Sequence, residues 1–139
     1  MTHRSTSVQQ TEQIAGDLAR SLKAGACVAL NGDLGSGKTQ FTRGIVAALG
    51  GDARSVSSPT FVLLHIYPTQ SLTVYHLDAY RVHGASDFEQ IGFDELLEQG
   101  GIVIVEWALR VPDLLPAGLV RVDIESIDET TRDITIARS

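Results

Sequence analysis

The chain has 139 residues, 43% apolar and 20% charged, the balance of an ordinary globular domain rather than a disordered or fibrous one. Eleven cations, nine of them arginine, stand against 17 anions for a net charge of −6, which excludes a general nucleic-acid coat with a basic footprint. The lone cysteine, Cys27, excludes an internal disulfide framework and fits a reducing compartment.

The length predicts a single domain over residues 1–139. The first 30 residues carry no apolar h-region and no run suits a membrane span, so a cytoplasmic protein is expected. Residues 1–7 read as loosely attached. Ser7 and Gln10 have capping-box spacing, with Ser7 as N-cap and Gln10 reaching back. A helix then runs to about Lys23, with Ile14, Leu18 and Leu22 on one stripe. Ala26 to Leu30 is a short apolar run, read as a buried strand. A glycine-rich stretch follows, and residues 38–49 form a helix with Phe41, Ile45 and Leu49 inward, closed by Gly50-Gly51. Phe61–Tyr67 and Leu72–Leu77 read as strands joined by a turn at 68–71. Residues 86–98 are weakly helical and interrupted at Gly92. Ile102 to Val105 is a buried strand ending in Glu106-Trp107. Leu119 to Glu125 alternates strictly and reads as a half-buried antiparallel strand, paired with Ile134–Ile136 across a turn near Asp128. The expected fold class is α/β, a P-loop NTPase-like mixed sheet with flanking helices and antiparallel edge strands.

Gly32-Asp33-Leu34-Gly35-Ser36-Gly37-Lys38-Thr39 matches G-x-x-x-x-G-K-[ST]. Each part has a physical reason. Backbone N–H groups must turn inward around a phosphate, which needs glycine where a side chain would collide. Lys38 supplies a point charge toward the terminal phosphates, Thr39 a hydroxyl for Mg²⁺, and the following helix aims its N-terminus at the anion. A chance match in a chain of this length is about one in a few hundred, and the strand before and helix after are the context that the motif requires. A second metal-side acid belongs at the end of a neighbouring strand, where Glu106 stands. No N-K-x-D is present, so ATP is the expected nucleotide rather than GTP.

This loop, Ser58-Pro59-Thr60-Phe61, His76-Leu77-Asp78-Ala79-Tyr80-Arg81 and Glu106-Trp107 occur in the order found in one family. The sequence resembles the bacterial TsaE (YjeE) family, the ATPase component of tRNA threonylcarbamoyladenosine biosynthesis, from about Thr11 to Arg132. The resemblance implies a compact P-loop ATPase using ATP and Mg²⁺. Its partners would be TsaB and TsaD, with tRNA engaged only indirectly. It implies that Leu34, Gly35, Ser36, Gly37, Lys38 and Thr39 hold the phosphates and that Thr39 and Glu106 hold Mg²⁺. Thr60 would lie in a switch-like loop near the terminal phosphate, and Asp78 would be a catalytic or metal-side carboxylate. The base would lie near Thr6 and the turn at Thr130-Thr131. Two departures stand out. Gln40 replaces a second Thr after the loop, where the backbone N–H still suffices. Ala108 stands where the family often has Pro after the Glu-Trp pair, so the resemblance does not fix the conformation of the turn that follows.

Other residues admit competing readings. His76 and Asp78 share a strand face; with His83 they give three ligands of a zinc-type site that lacks a fourth. Trp107 suits either a core anchor or an interface residue. Cys27 and His65 read as packing residues, and Arg43 as either a surface charge or a phosphate-side residue. Rival functions are a small-molecule kinase, which needs an acceptor pocket and an arginine-bearing lid, and a nucleotide-gated binding module with negligible hydrolysis.

Overall fold

The computed structural model describes residues 1–33, 35–57, 64–78, 92–106 and 115–138. Its chain order is β1 (Thr2–Ser5), α1 (Val8–Ser21), β2 (Cys27–Gly32), α2 (Lys38–Ala48), a 3₁₀ turn (Ala53–Ser55), β3 (Leu64–Tyr67), β4 (Val74–Asp78), α3 (Phe93–Glu98), β5 (Ile102–Glu106), β6 (Val120–Ser126) and β7 (Arg132–Arg138). Among the described residues, seven strands form one mixed sheet in the order β1-β7-β6-β2-β5-β4-β3. No helix among the described residues is long and apolar enough to cross a membrane.

The continuous apolar strands lie at the centre, as continuous burial on both faces requires. β2 runs parallel to β5 on one side and to β6 on the other, and β4 runs parallel to β5. The antiparallel pairs are outermost, with β3 on β4 at one edge and β7 and β1 at the other. One face of the sheet packs Val28, Leu30, Ile102, Ile104, Val122 and Ile134 against α1 and α2, through Leu18, Phe41 and Ile45. The opposite face packs Cys27, Ala29, Val103, Val105, Tyr75 and Leu77 with Phe93 and Leu96 of α3. In that second core, burial pushes the Cys27 thiol up to about 12, so it stays protonated and inert.

Two expectations are corrected. Residues 2–5 are not loose: they form β1, registered from Thr2 opposite Thr135 to Ser5 opposite Arg132. Arg4 donates from Nε and Nη2 to the two carboxylate oxygens of Asp133 at 2.9 and 3.1 Å, and Ser5 Oγ lies 2.8 Å from Thr11 Oγ1 in a buried contact. The alternating strand β6 is not confined to antiparallel pairing. It pairs antiparallel with β7 but lies inside the sheet, parallel to β2. Its pattern survives because Val120, Val122 and Ile124 meet the helix-covered face while Arg121 points away.

Ser7 caps α1 as expected, its side chain accepting from Gln10 N. Gln10 reaches back one residue further than a capping box predicts, its Oε1 accepting from Thr6 N at 2.7 Å and Thr6 Oγ1 at 2.9 Å. The stripe Ile14–Leu18–Leu22 is only part of the buried face, which also includes Thr11, Ala15, Gly16 and Ala19. These small side chains let α2 approach closely. A Cβ at Gly44 would collide with the Glu12 carbonyl and stand 2.7 Å from Ala15 Cβ. Gly44→Ala is therefore expected to destabilise the fold by about 1–3 kcal/mol through overpacking, despite alanine's better helix propensity. A urea denaturation midpoint equal to that of the wild type would contradict this packing.

Candidate functional site

The parallel strands β2, β5, β4 and β6 all deliver their carboxyl ends to one edge of the sheet, and β1 ends there too, because it is antiparallel to β7. In open α/β sheets this edge is where ligands bind. Here it carries a cleft of ≈ 720 Å³, within the usual range for a small-ligand site. Its lining brings together Gly35 to Gln40, Asp78 and Glu106, with Thr6 to Val8 from the entry to α1 and Thr130 and Arg132 from the far side.

β2 ends at Gly32, where a Cβ would collide with the Ser36 side chain and stand 2.9 Å from the Ile124 carbonyl. Only glycine lets the loop turn back there. Gly37, the N-cap of α2, has φ 108, a region that L side chains avoid. Lys38 Nζ donates to the carbonyls of Gly32 and, at 3.2 Å, Asp33. Burial pulls its ammonium below the ordinary lysine value, while the carboxylates of Glu106, Asp78 and Asp33 pull the other way. That opposition means several negative groups face one partly desolvated cation. Ser36 Oγ is buried and has no hydrogen-bond partner among the described residues.

Asp78 and Glu106 are direct register partners across β4 and β5, so the two carboxylates stand side by side at the strand ends. Both are nearly fully buried. Glu106 Oε2 is bonded to His76 Nε2. Tyr67 Oη lies 3.4 Å from His76 Nδ1 and 3.2 Å from His65 Nδ1, and reaches the Ser57 carbonyl at 3.4 Å. Burial raises the Tyr67 phenol above its ordinary value. Burial first, then the nearby His76, lowers the His65 imidazole.

The predicted residues Gly35, Ser36, Gly37, Lys38, Thr39, Asp78 and Glu106 all line this one cleft. Thr131 is not among its lining residues, although Thr130 and Arg132 on either side are. The Thr131 N–H is turned to Asp128 Oδ1 at 2.8 Å. Leu34, Thr60, His83, Trp107 and Ala108 lie outside the described residues. The zinc-type reading of His76, Asp78 and His83 turns on His83, which lies outside the described residues; His76 is bonded to Glu106. Arg43 is more than a surface charge: it donates to the Val56 carbonyl at 3.1 and 3.3 Å and lines the cleft.

Two contributions were not read from the sequence. His76 holds Glu106, a contact visible only once β4 and β5 are placed in parallel register. Arg132 donates to the carbonyls of Ser36 at 2.8 Å and Gly35 at 3.3 Å, which fixes the back of the loop from the opposite end of the chain. No local pattern marks either.

Comparison with known proteins agrees with this geometry. Residues 5–134 match the family model for the threonylcarbamoyl adenosine biosynthesis protein TsaE. The chain is 39% identical over 130 residues to the "tRNA threonylcarbamoyladenosine biosynthesis protein TsaE" of Rickettsia conorii, covering 94% of this chain and 74% of that one. It is 37% identical over 132 residues to the TsaE protein of Bacillus subtilis, covering 95% and 82%. The crystal structure of Bacillus subtilis YdiB superposes with a TM-score of 0.79 at 30% identity, over 98% of this chain and 83% of that one. A seven-stranded mixed sheet with this topology and these relatives leave one assignment: the chain belongs to the TsaE family and takes part in tRNA threonylcarbamoyladenosine biosynthesis.

Proposed function

We propose that the protein binds ATP with Mg²⁺ and hydrolyses it to ADP and phosphate, in support of threonylcarbamoyl transfer to the adenosine beside the tRNA anticodon. In this reading it acts in the cytoplasm through the partners TsaB and TsaD and meets tRNA only through them. The observation that carries the reading is the convergence of a glycine-shaped loop, Lys38 and two buried carboxylates on one nucleotide-sized cleft. The donor set suits the ligand. Gly35 and Gly37 offer backbone N–H groups, the Ser36 N–H being turned to the Asp33 carbonyl at 3.0 Å; the buried Ser36 hydroxyl has no partner among the described residues, and Lys38 provides a cation.

Mg²⁺, when bound, supplies charge neutralisation at the phosphate oxygens. Thr39 and Glu106 are the oxygen ligands suited to hold it. Lys38 places positive charge beside the terminal phosphates, and Asp78 orders the attacking water or the ion's hydration shell. Little covalent work falls to the protein, since phosphoryl transfer is driven chiefly by positioning and charge stabilisation. The base side is assigned to the Thr6–Val8 segment and Thr130.

Phosphate release tests the reading, measured on the protein alone, then with TsaB and TsaD, then with tRNA added. Slow release alone and acceleration by the partners are expected. Phosphate passed to a small acceptor would make the protein a kinase. Tight nucleotide binding without turnover, partners present, would make it a binding module.

A further inference from the structure

The His76-x-Asp78 pair was weighed above as a metal site, yet the histidine serves a different end. We infer that His76 is a positioning residue that aims the Glu106 carboxylate into the cleft, and that Tyr67 fixes the imidazole from behind. The inference rests on the nucleotide–metal reading of the cleft and adds to it the element that holds the metal-side acid in place.

His76 is fully buried, and Glu106 and Tyr67 are each 4% exposed. An imidazole placed there only to fill space would leave polar nitrogens without partners, at a cost that a leucine avoids. Both ring nitrogens instead lie at polar atoms, Nε2 at Glu106 Oε2 and Nδ1 at Tyr67 Oη. A carboxylate offers acceptors alone, so the shared hydrogen belongs on His76 Nε2, and in the neutral imidazole the Nδ1 lone pair accepts from the Tyr67 hydroxyl. His65 Nδ1–H can donate in turn to the same phenol oxygen, 3.2 Å away. The chain of contacts runs from β3 through β4 to β5. With Oε2 engaged, Glu106 keeps Oε1 for the cleft that it lines, and its carboxylate plane is fixed before any ligand arrives. This is how outer partners tune a metal-binding carboxylate.

The test is calorimetric titration with a non-hydrolysable ATP analogue, in EDTA and across a Mg²⁺ series, on folded proteins verified by circular dichroism. His76→Leu is expected to raise the Mg²⁺ midpoint by about tenfold or more and to leave affinity in EDTA near that of the wild type. His76→Gln, which can place an N–H near the Nε2 position, should restore much of the midpoint. His76→Asn, which cannot reach Glu106, should not. Tyr67→Phe should shift the midpoint in the same direction by less. A folded His76→Leu with the wild-type midpoint would overturn the inference. So would equal midpoints for the Gln and Asn variants, a comparison that stands even if the leucine variant does not fold. Wild-type affinity indifferent to Mg²⁺ would overturn the nucleotide–metal reading itself, a result distinguishable from both.

Discussion

Lys38→Ala is expected to lower nucleotide affinity about 10- to 100-fold, the loss of one or more charge-assisted hydrogen bonds worth about 1.5–3 kcal/mol each. The side chain is almost entirely buried at the base of the cleft and rests on the carbonyls of Gly32 and Asp33. Its ammonium is already partly stripped of water, as its lowered pKa reflects. A phosphate arriving there meets a cation whose desolvation has been met in folding, so the attraction is not spent on removing water. The variant also removes the atom that braces two loop carbonyls, so the glycine turn loses its inner support. Isothermal titration with ATP measures the effect. Unchanged affinity would reduce the loop to a turn with a buried lysine.

Glu106→Gln is expected to cut Mg²⁺-dependent hydrolysis by about 100-fold or more, beyond what losing an outer partner costs, and to spare nucleotide binding in EDTA. The amide has the shape of the carboxylate, and its oxygen can still accept from His76 Nε2, so the fold and the hydrogen bond persist while the charge is lost. Glu106→Ala is the poorer experiment, because it strands a fully buried histidine. The neighbouring Asp78, its register partner, does not replace the lost charge if the two carboxylates have separate tasks. Phosphate release with and without Mg²⁺ on the glutamine variant decides the matter. Equal losses under both conditions would remove Glu106 from the metal.

The glycine-shaped turn between β2 and α2 was legible because its requirements are local. Gly32, Gly37 and Lys38 satisfy a backbone and charge demand within eight residues, between an apolar strand and an amphipathic helix. Glu106 was legible for the same reason, as the polar end of a four-residue apolar run. What escaped depends on pairing over long separations. Thr2 to Ser5 has no apolar alternation, and it becomes a strand only because β7 presents an open edge to it. The strand β6 carries the signature of a sheet margin, yet it sits beside β2 because β7 and β1 take the margin instead. The contact between His76 and Glu106 spans 30 positions and requires the β4–β5 register. Thr131 was placed toward the base by resemblance, and the turn rotates its N–H to Asp128 instead.

The brace that Arg132 places on Ser36 and Gly35 crosses 96 and 97 positions, and it has a consequence for the order of synthesis. The glycine loop leaves the ribosome before β6 and before the arginine that stands behind the loop. A nascent chain therefore holds Lys38, Asp78 and Glu106 before it holds the loop in shape. If the cleft takes nucleotide as proposed, competence to bind it is expected only once β6 and β7 are both in place, and the ligand would then stabilise the completed sheet over unfinished forms. A chain stopped after Ile127 would retain Lys38, Asp78 and Glu106 yet lack β7, the partner of β1. It is expected to bind nucleotide far more weakly than the full chain, and full affinity in such a fragment would show that the loop closes without its distant brace.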